Sequence, residues 1–244
     1  MADLIRYPSP NWNERPAGVK PDTVIIHYTG METGAAALNR LVDPAAEVSA
    51  HYLIEEDGRI FALVDEAKRA WHAGVSFWRG RENLNHNSIG IELVNPGHEF
   101  GYRAFPRAQI TSLLALLDGI AARHDIKRDA YIGHSDIAPD RKIDPGELFP
   151  WAQLAAKGYG LWSTLAGHDK TVIAERGQKN ANVMKFNKQL GIVGYHIGDT
   201  QSFGATTEFA VRAFQAHWRP EAVTGQIDIG TAAVLEDIAG QSGQ

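Results

Sequence analysis

Thr23-Val24-Ile25-Ile26-His27-Tyr28 is a short, β-branched apolar run with an imidazole near its end. Such a run reads as a buried strand. Ser88–Val94 (SIGIELV) reads as another. In an extended chain, Ile89, Ile91 and Leu93 point one way and Gly90, Glu92 and Val94 the other. Ser49–Ile54 and Ile60–Val64 flank an Asp57-Gly58 pair, which predicts a hairpin. Arg69–His72 and Ala130–His134 add two short strands. Thr33–Val42, rich in Ala and Leu, reads as a short helix. Pro106–His124 reads as a long one, with Ile110, Leu113, Leu114, Leu117, Ile120 and Ala121 at helical spacing. Strands and helices thus mix along the first part of the chain, which predicts an α/β fold.

Outside these segments the pattern weakens. Residues 1–20, with their Pro, Asn and Trp, read as an irregular arm. Ser135–Pro150 carries Pro139, Pro145, Gly146 and Pro150 and reads as a long loop without regular structure. Residues 160–175 read as a linker. Beyond them, Asn182–Leu190, Thr206–His217 and Ile229–Ala239 predict three helices, the last following a turn at Thr224-Gly225. The expected division is a domain over 1–160 and a small helical domain over 175–244.

The 244 residues are 44% hydrophobic and 22% charged, with net charge -5 and a pI near 6.0. A core of ordinary size is possible. The broad basic face that nucleic-acid binding needs is not indicated. No cysteine is present, so disulfides and thiolate metal sites are excluded. Any transition metal would rest on His nitrogen and carboxylate oxygen. Neither a signal-peptide pattern nor a run of membrane-spanning length is found, which points to a cytoplasmic protein on the sequence as given. The cell envelope is the alternative. Oligomeric state is not legible.

Three residues draw attention among 10 histidines and 29 acidic residues. His27 ends one strand, His134 ends another, and Asp144 lies in the loop that His134 opens. Two imidazoles and one carboxylate are a normal set for catalytic zinc, with a fourth tetrahedral position left open. They leave a net charge near +1 on the centre, which acidifies bound water. Glu92 is either an exposed strand carboxylate or a general base. Lys142, two residues before Asp144, shares its face if the stretch is extended. It is either a solvated lysine or an oxyanion stabiliser.

The segments VIIHY (to Tyr28), SAHYLI (Ser49–Ile54), RAWHAG (Arg69–Gly74), NHNSIGIELVNPG (Asn85–Gly97) and GHSDIAPDRKIDPGELFPW (Gly133–Trp151) occur in this order. Together they resemble the N-acetylmuramoyl-L-alanine amidases of the type 2 family, relatives of T7 lysozyme and the peptidoglycan-recognition proteins. The resemblance runs over roughly 20–155. It implies a central mixed β-sheet flanked by helices, with a zinc cleft above it. It implies Zn2+ on His27, His134 and Asp144, with Glu92 and Lys142 as the catalytic pair. Some relatives place a catalytic tyrosine just before the position of His51; here that residue is Ala50, which leaves the acid–base role to Glu92. The implied substrate is peptidoglycan or a muropeptide, cut between N-acetylmuramic acid and L-alanine in cell-wall turnover or recycling.

His51, Arg69, Trp71, His72 and Asn87 lie in matching segments and are candidate substrate contacts. For His51 and Trp71, core packing is an equal reading. Leu190–Asp199, Thr206–Pro220 and Thr224–Ile238 resemble a small three-helix peptidoglycan-binding domain. A wall-binding tail would tether the enzyme, so deleting residues beyond about 175 should spare soluble muropeptides and weaken action on intact sacculi. The other reading is a plain helical bundle that packs on the amidase and binds nothing. Two other readings stand beside the amidase: a non-catalytic recognition module, and a zinc peptidase acting within the stem peptide.

Overall fold

The computed structural model describes residues 4–165, 169–198 and 200–242. The first residues of the expected arm, the middle of the 160–175 stretch, Asp199 and the last two residues lie outside this set. The strands are β1 (Leu4–Arg6), β2 (Trp12–Glu14), β3 (Thr23–Tyr28), β4 (Tyr52–Ile54), β5 (Ile60–Ala62), β6 (Lys68–Ala70), β7 (Phe77–Trp78), β8 (Arg81–Glu82), β9 (Ser88–Leu93), β10 (Tyr131–Gly133), β11 (Val172–Ala174) and β12 (Ile227–Asp228). The helices are α1 (Gly34–Val42), α2 (Gly97–Phe100), α3 (Arg107–Arg123), α4 (His134–Ile137), α5 (Trp151–Ala155), α6 (Ala181–Val193), α7 (Ala205–Trp218) and α8 (Ile229–Gln241). The chain folds into two compact units. One comprises the residues up to Val75 with Asn83–Gly133; the other comprises Ser76–Glu82 with His134 onward.

The first unit is built on a six-stranded sheet in the order β1-β5-β4-β9-β3-β10. The sheet is mixed. β4 and β5 form the expected antiparallel hairpin, while β4, β9, β3 and β10 run parallel. Val24, Ile25, Ile26, Ile89 and Ile91 are all fully buried, so both faces of the central strands are covered. That is the usual state of parallel strands and explains why β3 reads as a continuous apolar run. Thr33 caps α1, its side chain accepting from Ala36 N–H at 3.1 Å. α3 is tied to the sheet by a buried polar group: Gln109 Nε2 donates to Ile54 O at 2.9 Å and Val94 O at 3.0 Å.

The arm expected over residues 1–20 is a correction. β1 pairs in parallel with β5, and β2 pairs antiparallel with β6. Side chains of both strands are exposed, so no buried-face alternation marked them in the sequence. Backbone pairing formed them instead, β1 at the edge of the six-stranded sheet and β2 in a separate two-stranded one.

The second unit contains α4, α5, the β7–β8 hairpin and the three helices α6, α7 and α8. Asn180 caps α6 and Asp228 caps α8 through their carboxamide and carboxylate oxygens. Asp228 also takes both bonds from Nη1 of Arg219, at 2.7 Å each, with Arg219 itself 1% exposed. The sequence indicated the three helices but not the short antiparallel pair β11–β12. The stretch Ser135–Pro150, expected to lack regular structure, opens with the single turn of α4 and is otherwise irregular.

Candidate metal centre

Register along the sheet assembles the candidate site. His27 in β3 is paired with Glu92 in β9. Paired residues of neighbouring parallel strands project to the same face, and the strands lie about 4.8 Å apart. On the other side, Gly133 of β10 pairs with Ile26. The next residue, His134, therefore leaves the sheet level with His27. Three adjacent strands thus deliver a carboxylate and two imidazoles at one height. Asp144 is returned to His134 by the chain itself: Ser135 N–H donates to Asp144 O at 2.9 Å, and His134 Nδ1 lies 3.1 Å from Asp144 Oδ2.

His27, His134 and Asp144 are 1%, 4% and 6% exposed. One donor atom from each lies within 4.8 Å of the others. Three buried polar groups converging on one point incur a large desolvation cost unless something satisfies them. Two neutral nitrogens and one carboxylate oxygen match the preference of a zinc-like cation with an open coordination position. The donor chemistry and burial therefore fit such an ion. Glu92 is half-buried. Lys142 is half-buried too, with its backbone N–H donating to Ala138 O at 3.0 Å.

The remaining sequence candidates fall in different places. His72 joins the centre, its Nδ1 3.0 Å from His27 Nε2. His51 is fully buried. Gly90 N–H donates to its Nδ1 at 3.0 Å, so Nε2 carries the hydrogen and donates to Lys68 O at 3.1 Å. Burial, reinforced by the nearby Arg15 charge, pushes its pKa down to about 3. Of the two readings offered for His51, this placement favours packing. Trp71 and Arg69 are half-buried and share an acceptor: Trp71 Nε1 and Arg69 Nη1 both donate to Asn13 Oδ1. Arg69 Nη2 donates to Asn83 Oδ1.

Asn87 is not brought to the centre. Its Nδ2 donates to Asp22 Oδ1 at 2.6 Å, beside Thr23 at the start of β3. His27 lies four residues further along that strand, roughly 13 Å away at strand rise. Its side chain staples strand starts together, at the end of β3 away from His27.

Several residues around the centre lie in the matching motifs, but the sequence assigns them no role. Asn85 Oδ1 accepts from the backbone N–H groups of both His72 and Ala73. Ser88 Oγ lies 3.2 Å from His72 Nε2. Asp136, two residues after His134, is buried against Tyr195 and His217. Each is an ordinary polar residue whose partners are distant in sequence.

Comparison with known proteins agrees with this geometry. The N-acetylmuramoyl-L-alanine amidase family matches residues 17–147, and the putative peptidoglycan binding domain matches 179–235. The N-acetylmuramoyl-L-alanine amidase AmiD of Escherichia coli (strain K12) is 36% identical over 233 residues, covering 91% of this chain and 83% of that protein. The 1,6-anhydro-N-acetylmuramyl-L-alanine amidase AmpD of Citrobacter freundii is 36% identical over 173 residues, covering 64% of this chain and 90% of that protein. The structure of E. coli AmiD with anhydro-N-acetylmuramic acid-L-Ala-D-gamma-Glu-L-Lys superposes with a TM-score of 0.79 at 34% identity, covering 95% of this chain and 94% of AmiD. That of AmpDh3 from Pseudomonas aeruginosa with anhydromuramic pentapeptide superposes with a TM-score of 0.75 at 32% identity, covering 93% and 94%. Among the described residues, no helix is long and apolar enough to cross a membrane. Ordered motifs, a mixed sheet that levels His27 with Glu92, a buried His-His-Asp group and relatives over nearly the whole chain agree: the protein belongs to the N-acetylmuramoyl-L-alanine amidase family.

Proposed function

We propose that this chain is a zinc amidase that hydrolyses the amide joining the lactyl group of N-acetylmuramic acid, or of its anhydro form, to L-alanine. The observation that carries the reading is the in-register placement of Glu92 beside His27, itself one member of a buried group of two imidazoles and a carboxylate. His27, His134 and Asp144 would hold the zinc. When bound, the ion supplies Lewis acidity to the scissile carbonyl and acidifies water.

The chain's own residues account for the proton movements. Glu92 takes a proton from the attacking water as the new C–O bond forms, then passes it to the leaving nitrogen as the C–N bond breaks. Its half-buried position favours a carboxylate able to do both. The Lys142 ammonium offsets the charge that develops on the carbonyl oxygen. Arg69, with its charge bonded to amide oxygens of Asn13 and Asn83, suits a carboxylate of the stem peptide. The exposed part of Trp71 beside it offers a face for the sugar or peptide. His72 acts on the ligand His27 and not on substrate.

Relatives solved with anhydro-muropeptides favour such fragments as substrates. The match at 179–235 supports a division into an amidase domain over 1–160 and a peptidoglycan-binding-like domain over 175–244. The compact units cut the chain differently because Asp136, close after His134, bonds to residues of the helical part.

The test is mass spectrometry of products from zinc-loaded protein given sacculi and anhydro-muropeptides separately. Free stem peptides beginning at L-alanine are expected. Cleavage within the stem would identify a peptidase. No product from folded, zinc-loaded protein would identify a recognition module.

A further inference from the structure

We propose that His72 and Ser88 are positioning residues that select which nitrogen of His27 faces the metal, through a one-way hydrogen-bond relay ending on the carbonyl of Leu84. The proposal rests on the metal reading above for its purpose, but not for the direction of the relay.

The direction follows from hydrogen inventory. Leu84 O can only accept, and Ser88 Oγ lies 2.6 Å from it, so the serine hydroxyl donates there. A hydroxyl has one hydrogen. At its second contact, 3.2 Å from His72 Nε2, Ser88 Oγ must therefore accept. Nε2 of His72 carries the ring hydrogen, and a singly protonated ring then presents a lone pair at Nδ1. That atom lies 3.0 Å from His27 Nε2, which must donate to it. The lone pair of His27 is left on Nδ1, the nitrogen that does not face His72 and so the one that would meet the metal. Ligand histidines are commonly oriented by a partner on the other nitrogen, usually a carboxylate, carbonyl or water. Here a second imidazole serves, and its own orientation is set one bond further out.

Two further observations show that His72 is held in place for this. Its backbone N–H and that of Ala73 both donate to Asn85 Oδ1, at 3.0 and 2.8 Å. Its ring lies over Gly90 in the middle of β9. A Cβ at that position would fall 2.4 Å from Cγ of His72. Glycine weakens a strand interior and there commonly marks a close approach. The close approach is the His72 ring, on the same sheet face as His27, Ser88 and Glu92. The buried His51 ring meets the His72 ring edge-on, with centroids 5.7 Å apart.

The experiment has two readouts on the full chain. Long-range 1H–15N NMR of metal-free protein should find His27 and His72 both carrying hydrogen on Nε2. Zinc affinity, measured by competition with a chelator, should fall about 10- to 100-fold in His72→Ala and about 10-fold in Ser88→Ala. His72→Asn places a carboxamide oxygen where Nδ1 stands and should recover most of the loss. Hydrogen on Nδ1 of His27 in metal-free protein overturns the proposal. So does unchanged affinity in Ser88→Ala, a variant that decides the matter even if His72→Ala does not fold. Failure of the unmodified protein to take up zinc would instead overturn the metal reading, and the NMR result would still judge the relay.

Discussion

His217 Nδ1 lies 2.7 Å from Asp136 Oδ2, both side chains being almost wholly buried, and Tyr195 OH donates to the other oxygen at 2.8 Å. Two residues from the helical part thus bond a carboxylate two positions after the candidate ligand His134. The His217 ring is also stacked between Trp151 and Trp218, with centroids 3.8 and 3.6 Å away. Breaking one side of a buried hydrogen bond to a carboxyl group leaves an unsatisfied group. His217→Ala should destabilise the protein by about 3 kcal/mol, and Tyr195→Phe by about 1 kcal/mol. Denaturant unfolding checks both. A change below 0.5 kcal/mol, the size usual for surface sites, would mean the carboxylate finds other partners.

The same contact alters the expectation for the tail. A tether alone would leave soluble muropeptides unaffected by its removal. Deleting residues after 175 removes Tyr195 and His217, two partners of Asp136, so activity on soluble and polymeric substrates should fall together, with lower metal content. Retained activity on soluble fragments would restore the tether reading.

Asp144→Ala should abolish stoichiometric zinc, because two imidazoles alone hold the ion weakly. Metal analysis after dialysis checks it. A full complement in this variant would remove Asp144 from the ligand set.

Glu92→Gln keeps the shape and removes the base. Zinc content should be unchanged and kcat should fall by roughly two to four orders of magnitude. Lys142→Met should lower kcat with little effect on metal content. Normal turnover in either variant would exclude that residue from the proton and charge movements proposed.

Stability should decline in acid in two stages. His51 has a folded pKa of about 3, below its ordinary 6.5, with burial the main cause and the Arg15 charge the next. The unfolded chain therefore binds a proton first, and stability falls as pH drops below 6.5. One such group gives a slope of about 1.4 kcal/mol per pH unit until its folded pKa is reached. Burial alone would raise the Glu66 pKa, but hydrogen bonds from Arg123, Tyr52 and His124 outweigh it and hold it at about 2. Its contribution is present above 4.5 and is lost as pH falls toward 2. Unfolding curves between pH 7 and 3 measure the sum. His51→Gln should remove the slope between about 6.5 and 4.5 and leave only the Glu66 contribution below that.

The sequence by itself determined the central strands, the long helices and the ligand candidates. β3 and the core of β9 are apolar enough to declare themselves, and α3 has enough turns for its spacing to show. His27, His134 and Asp144 were legible because they lie at strand ends and in a Pro-rich loop, and because five ordered motifs accompany them. Tertiary structure alone decided that β1 and β2 exist, since their exposed side chains carry no pattern. It alone decided that Asn87 serves the far end of the strand and that His51 is buried. It alone brought Ser88 under His72, and His217 against Asp136, across 16 and 81 residues of chain. Hydrophobic periodicity is a local property and is written along the chain. The direction of a hydrogen bond between distant polar groups depends on which atoms folding places 3 Å apart, and no local pattern encodes that.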